Sequence, residues 1–181
     1  MNYYAVQVRT RGEEKYLKIA RYLLDTYDLL PEWKGRFLWP RRKLTIRKRG
    51  VKKQSTLPIF PGYIFLESKE LDPDVYQVLK KIRGFFRFLK NNQNIEPLTG
   101  ADRRLLLHFL SFGEIVDKST VYFDENKKIR VIQGPLKGLE GSIIKVDKRK
   151  GRAKVKLHLY DESFLIDFGF EAIEPAEVHH D

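Results

Sequence analysis

Residues Ile129–Asp147 constrain this chain most. Two short apolar runs, Val131-Ile132 and Ile143-Ile144-Val146, enclose a loop broken at Gly134, Gly138 and Gly141. Glycine accepts positive φ and proline fixes its own, so Gly134-Pro135 reads as a tight turn. Runs this short between such breaks predict β-strands. Three more strand-like runs follow, and residues 129–177 are expected to close into a small all-β barrel. Lys137 on the glycine loop, with the loop's backbone amides, can approach an extended ligand closely. The alternating Val and Ile predict a permanent barrel rather than one that refolds. The pattern suits binding and carries nothing catalytic.

Charge narrows the ligand. The chain has 181 residues, a formal net charge of +11 and 42% apolar side chains, enough for one or two ordered domains. Residues 1–60 hold 15 basic and 5 acidic side chains, residues 61–120 hold 9 and 8, and residues 121–181 hold 11 and 11. The last third is itself split: Lys127–Lys156 is strongly basic, whereas the charged residues of Asp161–Asp181 are all acids. Segregation of this kind favours a nucleic-acid partner over evenly solvated lysines. With no cysteine there are no disulfides and no thiolate metal sites. The N-terminus lacks a long apolar run and no window approaches a membrane span, so a cytoplasmic monomer without membrane contact is expected.

Periodicity sets out the rest. Tyr3–Arg9 reads as a strand with Tyr4, Val6 and Val8 on one face, and Glu13–Tyr27 as a helix with Tyr16, Ala20, Leu23, Leu24 and Tyr27 at helical spacing. Phe37–Pro40 opens a strand leading into a basic run, and Leu57–Glu67 contains a turn and a buried strand. Asp72-Pro73 caps a helix that turns Val75, Val78, Leu79 and Ile82 inward. Gly84–Leu89 returns as a strand, and Thr99 with Asp102 suggests a capping box for a helix carrying Leu105, Leu106, Phe109 and Leu110. The order β-α-β-β-β-α-β-α makes residues 1–112 an α+β domain, a mixed sheet with helices on one face. Residues 113–128 read as a polar linker, although Val121-Tyr122-Phe123 could pack against a domain, and residues 178–181 as a tail.

These residues carry a family likeness. Phe60-Pro61-Gly62-Tyr63-Ile64-Phe65, behind Tyr3-Tyr4-Ala5-Val6-Gln7 and ahead of Arg83-Gly84-Phe85, resembles the N-terminal (NGN) domain of NusG-family transcription elongation factors. Ile129–Asp147 resembles their KOW module, in the family's order. The resemblance implies docking of the first domain on the clamp helices of bacterial RNA polymerase, with Tyr3, Tyr4, Phe60 and Tyr63 at the docking positions. Aromatic side chains suit that role, since they supply large rigid contact area. Alternation alone puts Tyr4 and Phe65 in the core and leaves Tyr63 open between core and contact. The resemblance also implies that the barrel contacts a ribosomal protein or a termination factor through Tyr160. The residue after that aromatic is usually glycine in the family. Here Asp161 follows, which changes the loop's shape and charge.

Two basic runs complete the candidate sites. Arg41, Arg42, Lys43, Arg47, Lys48, Arg49, Lys52 and Lys53 share one acid-free segment, read as two strands joined at Gly50 in a projecting hairpin. Lys145, Lys148, Arg149, Lys150, Arg152, Lys154 and Lys156 fall on a turn and flanking strands of the barrel, joined by Lys137. Both are candidates for phosphate contact with RNA or DNA, which positions a protein and weakens steeply with salt. So basic a KOW segment points to a specialised, LoaP-like relative: a processive antiterminator recruited by leader RNA. The alternatives are a general housekeeping NusG acting on pausing and termination, and a KOW-containing protein that grips ribosomal RNA.

Catalysis is not expected. His108, His158, His179 and His180 are too scattered for a triad, and the chain has no phosphate-binding glycine loop of the nucleotide-hydrolase kind and no paired-carboxylate constellation. No cofactor and no metal are expected.

Overall fold

The computed structural model describes residues 1–26 and 30–175; the expected helix position Tyr27 and the tail with His179 and His180 lie outside the described residues. In chain order the elements are β1 (Asn2–Val8), α1 (Glu13–Arg21), a π-helical turn (Tyr22–Thr26), β2 (Arg36–Leu38), β3 (Arg41–Lys48), β4 (Val51–Pro58), β5 (Tyr63–Ser68), α2 (Pro73–Lys81) and β6 (Phe85–Phe88). There follow α3 (Gly100–Leu110), β7 (Ile115–Val116), β8 (Ser119–Phe123), β9 (Ile129–Gln133), a 3₁₀ turn (Glu140–Ser142), β10 (Ile143–Asp147), β11 (Arg152–Leu159) and β12 (Glu162–Ala172). They form two units: Met1–Trp39 with Phe60–Arg104, and Pro40–Ile59 with the chain from Leu105 onward.

In the first unit β2, β5, β1 and β6 lie side by side in that order, every pairing antiparallel. Tyr4, Val6 and Val8 of β1 and Ile64 and Leu66 of β5 share a core with Tyr16, Leu17 and Ala20 of α1 and Val75 and Leu79 of α2. The period-2 and period-3.6 patterns thus meet on one face. The Tyr16 hydroxyl donates to the Leu79 carbonyl at 2.8 Å, tying the two helices together, and burial pushes that phenol's pKa up. Asp72 caps α2 as its sequence promised, accepting from the Asp74 amide at 2.8 Å.

The chain between α1 and α2 holds four strands, one more than expected. The run from Phe37 into the basic segment is not continuous: β2 ends before Pro40, and β3 begins in a different sheet. Proline has no N–H to give to a ladder, which explains the break. The following hairpin pairs β3 with β4 over eight residue pairs and turns at Arg49 and Gly50, with φ of 51° and 81°. Two successive left-handed residues match the twist of a two-residue hairpin.

The second unit's barrel sheet runs β10-β11-β12-β8-β9. The long β12 pairs antiparallel with β11 as far as Gly169, then parallel with β8 from Phe170 to Ala172. One strand thereby serves both halves of the barrel. Residues 113–128, expected as a linker, contain β7 and β8, and Ser119 and Val121 are fully buried. The apolar triplet Val121–Phe123 was the signal; polar neighbours hid its alternation.

Gly134 is needed where it stands. Its φ is 102°, and a Cβ there would lie 2.7 Å from the Ser119 Cα, a backbone atom that cannot step aside. The Ser119 hydroxyl also accepts from the Leu136 amide at 2.9 Å, closing the glycine loop onto β8. Gly134→Ala should therefore destabilise the chain by about 2–4 kcal/mol, from backbone strain plus overpacking, as read from a lower urea midpoint.

Candidate nucleic-acid interface

The four aromatic positions expected at a docking surface lie in the interior. Tyr3 is 9% exposed, Tyr4 6%, and Phe60 and Tyr63 1% each. β5 is buried along its whole length, so Tyr63 at its start is enclosed with it. The turn before it is fastened from below: Glu13, itself buried, accepts the Gly62 amide at 2.7 Å. Gly62 has φ of 82°, which the Pro-Gly turn requires. Tyr3 sits in a charged frame. The Arg103 guanidinium lies 5.5 Å from its ring centroid, and Arg36 Nε donates to Glu67 Oε1 at 2.6 Å. The Arg36 hydrogen bond holds Glu67 below the usual carboxylate range, while burial, with Glu67 beside it, raises the Tyr3 phenol.

The hairpin cations divide by alternation. Arg47, Lys48, Arg49, Lys52 and Lys53 are exposed around the turn, whereas Arg41 and Lys43 are half-buried nearer the base. Arg42 departs from the expectation of phosphate contact. It is 7% exposed, donates through Nε to the Asp167 carbonyl and through Nη1 to the Pro58 carbonyl, and lies over the Phe168 ring at 5.8 Å. Its place on β3 turns it toward β12, where the Asp167 carbonyl and the Phe168 ring enclose it together with the Pro58 carbonyl of β4. Burial lowers the guanidinium to about 10, with Asp167 acting in the opposite sense, and it stays charged at neutral pH. Lys43 pairs with Asp117 at 2.9 Å and holds that carboxyl below its usual range.

The barrel cations divide in the same way. Lys145, Lys148, Arg149, Lys150 and Lys156 are exposed, with the Lys148 ammonium 3.9 Å from the Phe123 ring centroid. Arg152 and Lys154 are half-buried and engaged: Arg152 Nη2 donates to the Thr45 carbonyl, and Lys154 pairs with Asp167 at 3.1 Å. These two serve the fold, because one carboxylate on β12 gathers them inward. Lys137 bends back to the strand before its loop, donating to the Val131 carbonyl of β9 at 3.0 Å. Tyr160 occupies the two-residue turn between β11 and β12 with φ of 51°, half-buried.

Asp167 and Lys118 matter here and were not singled out from the sequence. Asp167 is one acid among alternating apolar residues of β12, and only tertiary structure shows that Arg42, Arg152 and Lys154 converge on it. Lys118 lay in the presumed linker. Among the described residues no cluster of His, Cys, Asp and Glu could hold a metal, and no helix is long and apolar enough to cross a membrane. His108 turns one ring nitrogen, Nε2, to the Pro135 carbonyl at 2.7 Å, a structural contact.

Comparison with known proteins agrees with this architecture. The family model described as "Transcription termination factor nusG" matches residues 1–107, and the KOW motif matches residues 125–158. The Transcription termination/antitermination protein NusG of Bacillus subtilis is 26% identical over 141 residues, covering 77% of this chain and 78% of that protein. Its counterpart in Borreliella burgdorferi is 25% identical over 142 residues (75% and 77%), and that of Thermus thermophilus 21% over 182 residues (97% and 99%). The solved structure titled "Domain interaction in Thermotoga maritima NusG" shares the fold, with a TM-score of 0.62 at 19% identity over 93% of each chain. These relatives are transcription factors, not enzymes. A nusG family model matched over residues 1–107, more than half of the chain, with a KOW motif over residues 125–158, places the chain in the NusG family.

Proposed function

We propose that this protein is a specialised, LoaP-like antitermination factor: it binds RNA polymerase through its first unit and is recruited by nucleic-acid contacts of its second. The observation that carries this reading is the exposed cations at the tip of the β3–β4 hairpin and on the β10–β11 turn. Arg47, Lys48, Arg49, Lys52 and Lys53 on one, and Lys148, Arg149 and Lys150 on the other, are in excess of what solubility asks of a small domain. Curated relatives bearing the name "Transcription termination/antitermination protein" support action on transcript elongation. Docking on the polymerase clamp helices would use the surface around the buried Tyr3, Tyr4, Phe60 and Tyr63, with those side chains shaping it from beneath. Tyr160 remains the proposed contact for a ribosomal protein or termination factor.

Single-round transcription by bacterial RNA polymerase through an intrinsic terminator tests the reading, on templates with and without a candidate operon leader. Leader-dependent readthrough is the expected result. Equal effects on both templates would make the protein a general elongation factor. No effect, together with no polymerase association, would favour a ribosomal-RNA-binding role.

A further inference from the structure

Thr45 and Arg152 are 107 residues apart in the chain, yet Arg152 Nη2 donates to the Thr45 carbonyl. Around that contact the second unit holds a cavity of about 400 Å³. Arg47 and Lys52 line it from the hairpin, Arg149, Lys150 and Arg152 from the barrel, and Lys118 from the corner between β7 and β8. Thr45 and Ile46 complete the lining, and among the described residues no carboxylate joins them. Acids lie just outside the lining and are engaged: Asp117 pairs with Lys43, Asp167 with Lys154 at 3.1 Å and with Arg152 at 4.0 Å, and Asp147 accepts the Lys150 amide. The two basic runs therefore converge on one cleft.

Its cations are placed rather than scattered. A Cβ on Gly169 would lie 3.0 Å from the Lys118 Cγ, so the lysine stem lies against bare backbone on β12. Arg152 Nε is buried with no hydrogen-bond partner, a donor left over after Thr45 and Asp167 are served. Six cations around one cavity repel each other, and an anion in the cleft relieves that repulsion. A smaller cavity of about 170 Å³ shares Lys150 and Arg152 and adds the exposed Lys145, with Lys154, Asp147 and Asp167 completing its lining.

We propose that this cleft binds the sugar–phosphate backbone of a single nucleic-acid strand, gripped by hairpin and barrel together. The proposal rests on the nucleic-acid reading above and locates its site. Several phosphates in a row suit a track longer than one small anion. A positively charged groove that tracks one backbone is the arrangement single-stranded nucleic acid uses. No aromatic side chain lines this cleft, so it holds backbone and does not stack bases.

The test uses the full chain without polymerase, so its outcome is independent of the transcription assay. The probes are a fluorescein-labelled RNA strand, the DNA strand of the same sequence, and a duplex, followed by anisotropy over a salt series and by calorimetric stoichiometry. The variants are Arg47→Gln/Lys52→Gln, Arg149→Gln/Lys150→Gln and Lys118→Gln, each compared with the parent by circular dichroism. Arg42 and Arg152 are left intact because they hold the hairpin in place. One strand should bind per chain. Either double variant should weaken that single event about tenfold, and each phosphate contact removed should flatten the slope of log affinity on log salt by roughly 0.7. Lys118→Gln should act in the same direction. Preference for the RNA strand identifies a transcript as the source, and preference for the DNA strand a displaced DNA strand; both uphold the site. Two strands per chain, with either double variant leaving one site at full affinity, would overturn it. So would tighter binding of the duplex, or variants that bind like the parent.

Discussion

Arg42→Met should lower the local stability of the hairpin by about 2–3 kcal/mol, so that β3 and β4 amides exchange roughly 30- to 150-fold faster. The side chain serves two main-chain acceptors at once, the Pro58 carbonyl on its own hairpin and the Asp167 carbonyl on β12. Methionine keeps most of the volume and the contact with Phe168 but strands both carbonyls. Two terms oppose each other. Replacing a buried cation with an apolar side chain removes a desolvation cost, which in fully paired networks can leave stability unchanged. Here the partners are carbonyls that stay behind unsatisfied, so the loss of charge-assisted hydrogen bonds wins. Arg42→Lys separates geometry from charge: one ammonium cannot reproduce the guanidinium fork, and it should cost nearly as much. Exchange in β3 and β4 unchanged by Arg42→Met would mean that the hairpin is held by packing alone.

That residue also marks the limit of what the sequence discloses. Local signals read well: Asp72-Pro73 opens α2, Gly50 turns the hairpin, and the glycine loop joins two barrel strands. Each depends on a few neighbouring residues whose backbone preferences are strong. Arg42 was indistinguishable from Arg41 or Lys43, because one of its two acceptors and the ring it lies over belong to a strand 125 residues away. The same distance hid Asp167, an ordinary acid in β12 until Arg152 and Lys154 are brought beside it. β8 was obscured for a different reason. Ser119 occupies a buried strand position because its hydroxyl accepts the Leu136 amide, and a polar residue there breaks the apolar alternation that announces a strand.

The basic runs show both cases within one motif. Composition suggested an anionic partner for them, and alternation suggested that their side chains would spread over both faces of the hairpin. Neither could reveal that Arg47 and Lys52 of one run face the same cavity as Arg149 and Lys150 of the other. That arrangement follows from the ties made by Arg42 and Arg152. A buried arginine thus sets the geometry of exposed ones, and loosening it should weaken the proposed strand binding although every exposed cation remains.

The aromatic turn supplies the last large effect. Phe60→Ala should destabilise the first unit by about 3–5 kcal/mol, and Phe60→Leu by much less, because truncation leaves a cavity that a rigid surround fills only in part. Phe60 is 1% exposed, and its ring meets Phe65 edge-on at 5.5 Å, beneath a turn already pinned by Glu13. Both tryptophans, Trp33 and Trp39, belong to this unit, so their fluorescence in urea reports its unfolding separately from the barrel. A docking side chain would behave differently, since removing an exposed ring leaves unfolding within about 0.5 kcal/mol of the parent while weakening the partner. If Phe60→Leu keeps both stability and polymerase association and Phe60→Ala loses association only as the unit unfolds, the aromatics act by shaping the surface from below. Weak association by a stably folded Phe60→Ala protein would instead return the ring to the interface.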